Sequence, residues 1–327
     1  DQGLALVMVV AVAVAVGLCC SGEAWAAKPV KPPPPPDPVS YTLVELSDNE
    51  GNVYDINQLD GGVEVVGILY DASGEVEVRR AHYWMVDAAG NVLLSLDLPT
   101  LPPTRPEATI HSGALAVNNH GVVVGYQLEE EDFLAVRPLL WPHGAAAPIE
   151  LPLPEGAVGA SASSINDEGI VVGTASSLDE ESLVAWKVAV VDGVWTVHDT
   201  QTILTSPGIL GAEVANSGYV CTNLNYPDSR AHRLRLAWDG EQIWEVAGSR
   251  TQLFNVYSQA QGINEAGTVC GSYNDGRSWA FVMNAAGTQL VLPQLPGGRI
   301  GGQPYEIRNF AANGLNNASP LQVVGIG

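Results

Sequence analysis

Lysine is nearly missing from this 327-residue sequence: three lysines and eleven arginines provide its 14 positive charges, against 36 aspartates and glutamates. The formal net charge is −22 at pH 7. A chain with this charge repels a phosphate backbone, so we predict no nucleic-acid partner. Cations and basic surfaces are the partners that electrostatics favours.

Recognisable catalytic motifs are also lacking. The sequence has no Gly-x-Ser-x-Gly, His-Glu-x-x-His, phosphate-loop or Cys-x-x-Cys pattern, and its six histidines share no metal-ligand spacing. These absences favour a non-catalytic protein without a resident cofactor. The alternative is an extracellular carbohydrate-active hydrolase or lyase that uses carboxylates in loops.

Turn-forming residues are abundant instead, with 35 glycines and 22 prolines in a chain that is 46% hydrophobic. This composition is too apolar for a disordered chain and is typical of an all-β protein with many short connections.

The first 40 residues carry export and spacer signals rather than a fold. Residues 4–20 are small or apolar, and Ala24-Trp25-Ala26 fits the small-x-small cleavage rule, so we predict a signal peptide at 1–26. The alternative is a short membrane anchor, for which 17 apolar residues are marginal. Residues 27–40 include five consecutive prolines and form a predicted extended linker. The mature protein is then secreted, with no stable membrane span.

Residues 41–327 contain one pattern six times: an Asn-containing turn followed by a β-branched run, as in SSINDEGIVVG at 163–173. The Asn anchors are 61, 48, 50, 48 and 52 residues apart, and they are Asn57, Asn118, Asn166, Asn216, Asn264 and Asn316. Glycines that end the run include Gly125, Gly173, Gly271 and Gly325. A near-constant period of this length indicates a repeat architecture.

Each unit is predicted to contain four antiparallel strands, the third of which carries a tryptophan. Four strands per unit and a period near 50 predict a β-propeller of about six blades, and a β-solenoid is the alternative. The chain supplies five full repeats and one partial repeat. Segment 41–48 is predicted to be an orphan fourth strand that completes the sixth blade and closes the ring, unless further blades lie outside this sequence.

The motifs INDEGIVVG and INEAGTVCG, each followed by a strand with Trp, resemble the HAF-repeat family of extracellular bacterial proteins. The spacer LPQLPGG at 292–298 resembles the connection between units of that family. The resemblance implies an exported, propeller-like domain and says little about activity.

The Asn-x-x-Gly turn could be a cation loop, part of a catalytic acid pair, or a structural turn. The residues after the Asn change between units, whereas a repeated calcium site needs several fixed oxygen ligands. Asn and Gly both tolerate left-handed backbone angles, so we interpret the motif as the hairpin that starts each blade. Cys221 and Cys270 take the place of a valine in two copies, and we expect buried free thiols there rather than a disulfide.

Acidic residues cluster in the loops between the second and third strands. These acids either keep the protein soluble or, together with the connections between blades, form a face that contacts calcium or a basic partner. The loops as a whole are predicted to bind an extracellular protein or a polysaccharide. The proposed residues are Glu129, Glu130, Glu131, Asp132, Asp179, Glu180 and Glu181. The fifth such loop, SYNDGRSW at 272–279, resembles the Asp-box turn of sialidases and occurs only once, so we interpret it as a stabilised hairpin.

Overall fold

The computed structural model describes residues 44–291 except 73, 75, 130, 131, 225–228 and 277, followed by strands at 299–300, 303–304, 311–315 and 323–326. All regular elements in these ranges are β-strands. The predicted signal peptide and linker lie outside the described residues.

Five four-stranded antiparallel sheets follow one another along the chain. Blade one contains β1 (Gly51–Leu59), β2 (Gly62–Asp71), β3 (Val78–Asp87) and β4 (Val92–Asp97). Blade two contains β5 (Ile110–Val117), β6 (Val123–Glu129), β7 (Asp132–Trp141) and β8 (Ile149–Glu150). Blade three contains β9 (Gly159–Ile165), β10 (Ile170–Ser176), β11 (Glu181–Val191) and β12 (Val194–Ser206).

Blade four contains β13 (Ile209–Val214), β14 (Tyr219–Leu224), β15 (Arg230–Trp238) and β16 (Ile243–Glu245), with the short β17 (Thr251–Gln252) paired to β15. Blade five contains β18 (Tyr257–Ile263), β19 (Val269–Asn274), β20 (Ser278–Met283) and β21 (Gln289–Val291). Two isolated pairs follow: β22 (Arg299–Ile300) with β23 (Gln303–Pro304), and β24 (Ala311–Leu315) with β25 (Val323–Ile326).

The all-β propeller prediction is confirmed, but the described residues form five complete blades rather than about six. The sixth repeat contributes the hairpin β24–β25. The prediction of a strand at 41–48 was wrong for its described part, because residues 44–50 form no strand. In place of strand pairing, Leu46 packs against the hydrophobic cluster around Trp84.

The blades are arranged side by side with their first strands innermost, because β1, β5, β9, β13 and β18 contact one another in order. Hydrophobic layers fill the spaces between blades. One such layer joins Val124 and Leu140 of blade two to Ile165, Val171 and Trp186 of blade three. These layers bury the alternate faces of the central strands, as the period-2 pattern requires.

A β-bulge in the first strand explains the repeat glycine. In blade three the register shifts between Ala162 and Ser164, and the Ser161 carbonyl then lies against Gly173. A Cβ atom at Gly173 would lie 1.9 Å from that oxygen. Gly125 and Gly271 are equally close to the carbonyl oxygens opposite them. The glycine is therefore required by the bulge, because any larger residue would displace the backbone.

In blade four, where Thr222 takes the place of the repeat glycine, the bulge lies at a different position. The register shift falls between Leu210 and Ala212, one residue pair further along, and Gly211 there takes a φ of 65°. The Thr222 hydroxyl donates to the Gly211 carbonyl at 2.8 Å. A glycine with positive φ in the first strand thus replaces the glycine in the second.

The Asn anchors connect neighbouring blades. The side-chain oxygen of Asn166 accepts the backbone N–H of Ile170, and its Nδ2 donates to the Ala215 carbonyl in blade four at 3.1 Å. Asn118 donates to the Asn166 carbonyl in the same way, and Asn57 donates to the Asn118 carbonyl. Asn118 and Asn166 therefore each close their own turn and bond to the turn of the next blade.

Asn216 does not occupy the anchor position in blade four. Ala215 occupies it. The Ala215 N–H donates to the Tyr219 carbonyl, and the Ala215 carbonyl accepts the Gly218 N–H. The backbone of Asn166 makes the same two bonds in the turn of blade three. Asn216 lies one residue later, where it donates to Asp167 of blade three. Asn316 lies outside the described residues, and Gly325 lies in β25, opposite Ala312.

Each third strand contains a tryptophan, but only Trp84, Trp141 and Trp186 share one register. Each of these three is opposite the second-strand residue two positions before the repeat glycine. Leu234 and Met283 occupy that register in blades four and five. Trp238 and Trp279 lie four residues away from it, in opposite directions.

Candidate functional site

The two ends of the ring differ in their connections. In every blade the first-to-second and third-to-fourth strand turns lie at one end, which we call the turn-bearing end. The second-to-third strand loops and the connections between blades lie at the other, the loop-bearing end. Loops held by a rigid sheet are where binding residues concentrate in such folds.

The proposed acidic face is not a continuous surface of free carboxylates. Glu129 is buried, and its carboxylate accepts the backbone N–H and the hydroxyl of Thr104 in the connection to blade two. The Thr104 N–H in particular lowers the pKa of Glu129. Glu181 accepts the backbone N–H of Ile209 at 2.6 Å. Both acids therefore secure connections between strands. Glu130, Glu131 and the side chain of Asp132 lie outside the described residues.

Asp179 and Glu180 are exposed, in a tight turn between β10 and β11. The Ser177 hydroxyl accepts the backbone N–H groups of Asp179 and Glu180 and donates to the Glu180 carbonyl. Leu178 at the tip of this turn is 82% exposed. The turn is therefore a fixed loop that presents two carboxylates beside an apolar side chain.

A cluster that the sequence did not reveal lies at the loop-bearing end between blades one and two. We call it the tyrosine–arginine cluster, and it consists of Tyr54, Tyr70, Arg79 and Tyr126. Tyr70 on β2 lies directly opposite Arg79 on β3, and the Tyr70 hydroxyl accepts a hydrogen bond from Asn52 Nδ2 at 2.6 Å. The four side chains therefore come from three strands of blade one and one of blade two.

Tyr126 on β6 extends from blade two toward Arg79 and bonds to it through its hydroxyl. Burial raises the pKa of Tyr126, and the charge of Arg79 opposes this rise. The aromatic ring of Tyr126 fits because the residue opposite it is Gly113. A Cβ atom at Gly113 would lie 2.7 Å from Tyr126 Cε1. His111, on the same strand as Gly113, accepts the backbone N–H of Arg79 at 3.2 Å.

The cluster remains accessible, and its arginine is not paired with any described carboxylate. Tyr54 is 50% exposed, Arg79 is exposed, and Tyr70 and Tyr126 are half-buried. Among the described residues no carboxylate lies within ion-pair distance of Arg79, whereas its neighbour Arg80 pairs with Asp71. Accessible tyrosine rings and arginines are among the side chains that most often dominate binding surfaces.

Two carboxyl groups on the innermost strands form a second unusual feature. Asp55 of blade one accepts the backbone N–H of Val117 in blade two at 2.9 Å. Glu213 of blade four accepts the backbone N–H of Ile263 in blade five. Burial raises the pKa of Asp55 to about 6 and that of Glu213 to about 8, where the charge of Asp55 adds to the rise.

The raised pKa of Glu213 predicts that stability falls as pH rises. An ordinary glutamate has a pKa near 4.5, so between that pH and about 8 the folded chain holds a proton that the unfolded chain releases. The stabilisation is complete below the unfolded pKa and is lost toward pH 8. We expect Glu213→Gln to reduce the loss of unfolding free energy between pH 5 and pH 8 by about 1–3 kcal/mol, measured by urea denaturation. Equal pH profiles for the variant and the wild type would refute this assignment.

Metal and thiol chemistry receive no support from the described residues. In that part of the chain no group of three or more His, Cys, Asp and Glu side chains could hold a metal ion. Cys221 and Cys270 are buried thiols that form no disulfide, and burial raises the pKa of both. The Asp-box-like loop is a hairpin turn in which Trp279 Nε1 donates to Asp275 at 2.9 Å. In the described ranges no helix is long and apolar enough to cross a bilayer.

Several solved structures are similar to this chain. An acylaminoacyl peptidase from Pyrococcus horikoshii is 14% identical, with a TM-score of 0.42 over 74% of this chain and only 38% of its own length. A protein of unknown function from Dyadobacter fermentans is 12% identical, with a TM-score of 0.44 over 86% of this chain and 96% of its own. The SapL1 lectin in complex with alpha methyl fucoside is 11% identical, with a TM-score of 0.40 over 85% of this chain and 88% of its own length. Identities this low carry no conclusion about function.

No curated protein sequence matches this chain. A family model described as "Protein of unknown function (DUF3466)" matches residues 66–280, from the second strand of blade one to the third strand of blade five. This match covers well over half of the sequence, so the chain belongs to the DUF3466 family.

Proposed function

We propose that this protein is a secreted, non-catalytic β-propeller that binds an uncharged extracellular polysaccharide at the tyrosine–arginine cluster. The observation that carries the proposal is the combination of exposed Tyr54, half-buried Tyr70 and Tyr126, and an arginine that pairs with no carboxylate of the described residues. The cluster is fixed by strand pairing and by the Asn52 bond to Tyr70. A site that is ordered before binding loses little entropy when a ligand arrives.

The chemistry of these side chains suits a sugar polymer. Tyrosine has a broad apolar ring face, which can pack on the C–H face of a pyranose, and a hydroxyl that bonds to sugar hydroxyls. Arg79 and Asn52 offer further N–H donors in the same place. An extended polymer can use all of these groups at once along the junction of blades one and two.

Net charge favours a neutral ligand over an acidic one. The chain has a formal charge of −22, so long-range electrostatic repulsion would oppose the approach of an acidic polysaccharide. A basic protein would be attracted, but it would be drawn to Asp179 and Glu180 on blade three rather than to a site that contains Arg79. Binding of a neutral polymer should therefore be almost independent of salt concentration.

A polysaccharide panel tests the site. Neutral and acidic polymers are embedded in native gels, and retardation is compared for wild type, Tyr54→Ala and Arg79→Gln. We expect a neutral polymer to retard the wild type and each variant to weaken its binding at least tenfold, about 1.4 kcal/mol. Tyr257→Ala is the control, because Tyr257 is 47% exposed on blade five, away from the cluster.

Three outcomes would count against the proposal. Retention only by acidic polymers would contradict the electrostatic argument, and equal binding by all variants would place the site elsewhere. Release of reducing ends from a bound polymer would support the hydrolase alternative instead.

We also propose that the protein is exported by the predicted signal peptide and that its units are HAF repeats. The supporting features are the apolar run at 4–20 and the INDEGIVVG and INEAGTVCG motifs. Finally, we propose that β24–β25 begins a sixth blade. In support, β24 contacts β18, β19 and β20 in the way that β5 contacts β1, β2 and β3, and it has the same bulge.

A further inference from the structure

The outermost strand of blade one, β4, has an open edge and carries four apolar side chains. It pairs with β3 on one side, and no described strand pairs with its other side. All six of its residues are exposed, and the apolar ones are Val92, Leu93, Leu94 and Leu96. An open apolar edge is a template for pairing with another chain, and folded proteins usually protect such edges with charges, prolines, bulges or short strands.

The outer strands of the other described blades have more of this protection. β8, β16 and β21 contain only two or three residues each. β12 is long, but two register shifts interrupt its pairing with β11. In β4 the one shift falls at Leu93, and Leu94–Asp97 then pair with β3 without interruption. The one charged side chain of β4, Asp97, is already bonded to His82. Among the described outer edges, that of β4 is therefore the least protected.

Backbone donors and acceptors are held in place along this edge. The Leu98 N–H donates to the Ala81 carbonyl, at the start of β3's pairing with this segment. Since the backbone groups of a strand alternate between its two sides, the N–H and C=O groups of Ser95 and Asp97 point away from β3. The side chains of these two residues bond to the His82 ring at 2.8 and 2.7 Å. The unpaired backbone groups thus belong to an ordered strand, which loses little entropy when it pairs.

We propose that the open edge of β4 is the interface for a second copy of this chain, with the two β4 strands paired antiparallel about a two-fold axis. A two-fold interface uses the same surface on both copies, so the edge must be self-complementary. With the axis at Leu96, this leucine meets its own copy, and the outward groups of Ser95 face those of the partner's Asp97. Antiparallel pairing also brings the end that carries Arg80 toward the partner's end that carries Asp87, whereas parallel pairing would bring like charges together.

Net charge gives this interface a recognisable salt dependence. Each copy has a formal charge of −22, so two copies repel one another, and salt screens that repulsion. The contact itself consists of backbone hydrogen bonds and leucine side chains, which screening does not weaken. Dimerisation should therefore become stronger as the salt concentration rises. The inference goes beyond the proposed polysaccharide binding and does not depend on it.

Sedimentation velocity on the full chain tests the interface. We expect the wild type to form a dimer at roughly 100 μM that dissociates on dilution, as a small interface should. Leu96→Lys places two like charges at the axis, and Ser95→Pro removes an outward N–H without removing a backbone bond to β3. Each variant should weaken dimerisation at least tenfold. Val194→Lys is the control, because Val194 is 65% exposed on β12 of blade three, away from β4.

Three results would overturn the inference. A wild type that stays monomeric, or a dimer that Leu96→Lys and Ser95→Pro leave intact, would exclude β4 as the interface. A monomer whose Tm falls with Leu96→Lys but not with Val194→Lys would show that another segment of the same chain covers the edge. A dimer that dissociates as salt is added would be held by charges instead of strand pairing. Polysaccharide binding is tested separately, by the Tyr54 and Arg79 variants.

Discussion

Replacing Gly173 with alanine is expected to lower the unfolding free energy by about 4 kcal/mol, a large fraction of the roughly 5–15 kcal/mol by which domains are stable. The added Cβ would lie 1.9 Å from the Ser161 carbonyl oxygen, and both atoms belong to paired central strands that cannot move apart freely. Relief requires the bulge to shift, as it does in blade four, but blade three has no glycine at the required position. Urea denaturation followed by tryptophan fluorescence measures the change.

The matched control is Gly74→Ala. Gly74 is exposed in a loop of blade one, and the nearest atom to a new Cβ would be 3.7 Å away. We expect a change within about 0.5 kcal/mol. If Gly173→Ala were as mild as this control, the bulge would not be the reason for the repeat glycine.

Replacing Arg233 with methionine is expected to cost about 3 kcal/mol, the second-largest effect. Arg233 is 6% exposed, and its guanidinium donates to the carbonyls of Gly267, Asn284 and Ala285 at 2.9, 3.0 and 2.9 Å. These carbonyls belong to two turns of blade five, so one side chain of blade four holds both. Methionine fills similar volume and leaves the acceptors without donors.

Arg235→Met provides the comparison for Arg233→Met. Arg235 lies two residues later on the same strand, is exposed, and has its guanidinium 5.5 Å from the centre of the Tyr219 ring. We expect a change of less than about 1 kcal/mol, as for other exposed arginines. Equal losses for the two variants would mean that the buried bonds of Arg233 contribute nothing specific.

The strand and turn pattern could be predicted because it is local. The Asn, the Gly and the β-branched run of each copy specify a hairpin within about ten residues, and the third unit has the four strands predicted for each unit. The departures are also local in origin. In blade four, where Thr222 replaces the repeat glycine, the bulge is displaced by one residue pair of the β1–β2-type hairpin. The anchor position of that blade is occupied by Ala215 instead of Asn216.

The candidate site could not be predicted, because it depends on register between distant strands. Tyr54, Tyr70, Arg79 and Tyr126 are ordinary residues in the sequence and meet only when two blades stack. Glu129 illustrates the converse, since its acidic loop suggested an open surface, yet its carboxylate is buried against a connection 25 residues earlier. The sequence showed where carboxylates cluster, but it could not show which of them are hydrogen-bonded inside the fold.

Titration of a neutral polysaccharide into the wild type and into the Tyr54→Ala/Arg79→Gln double variant tests the central claim most directly. Calorimetry at low and high salt should show binding to the wild type that changes little with salt, and a loss of at least tenfold in the variant with an unchanged Tm. Equal affinity of the two proteins, or binding that vanishes at high salt, would contradict a neutral-polymer site at the tyrosine–arginine cluster.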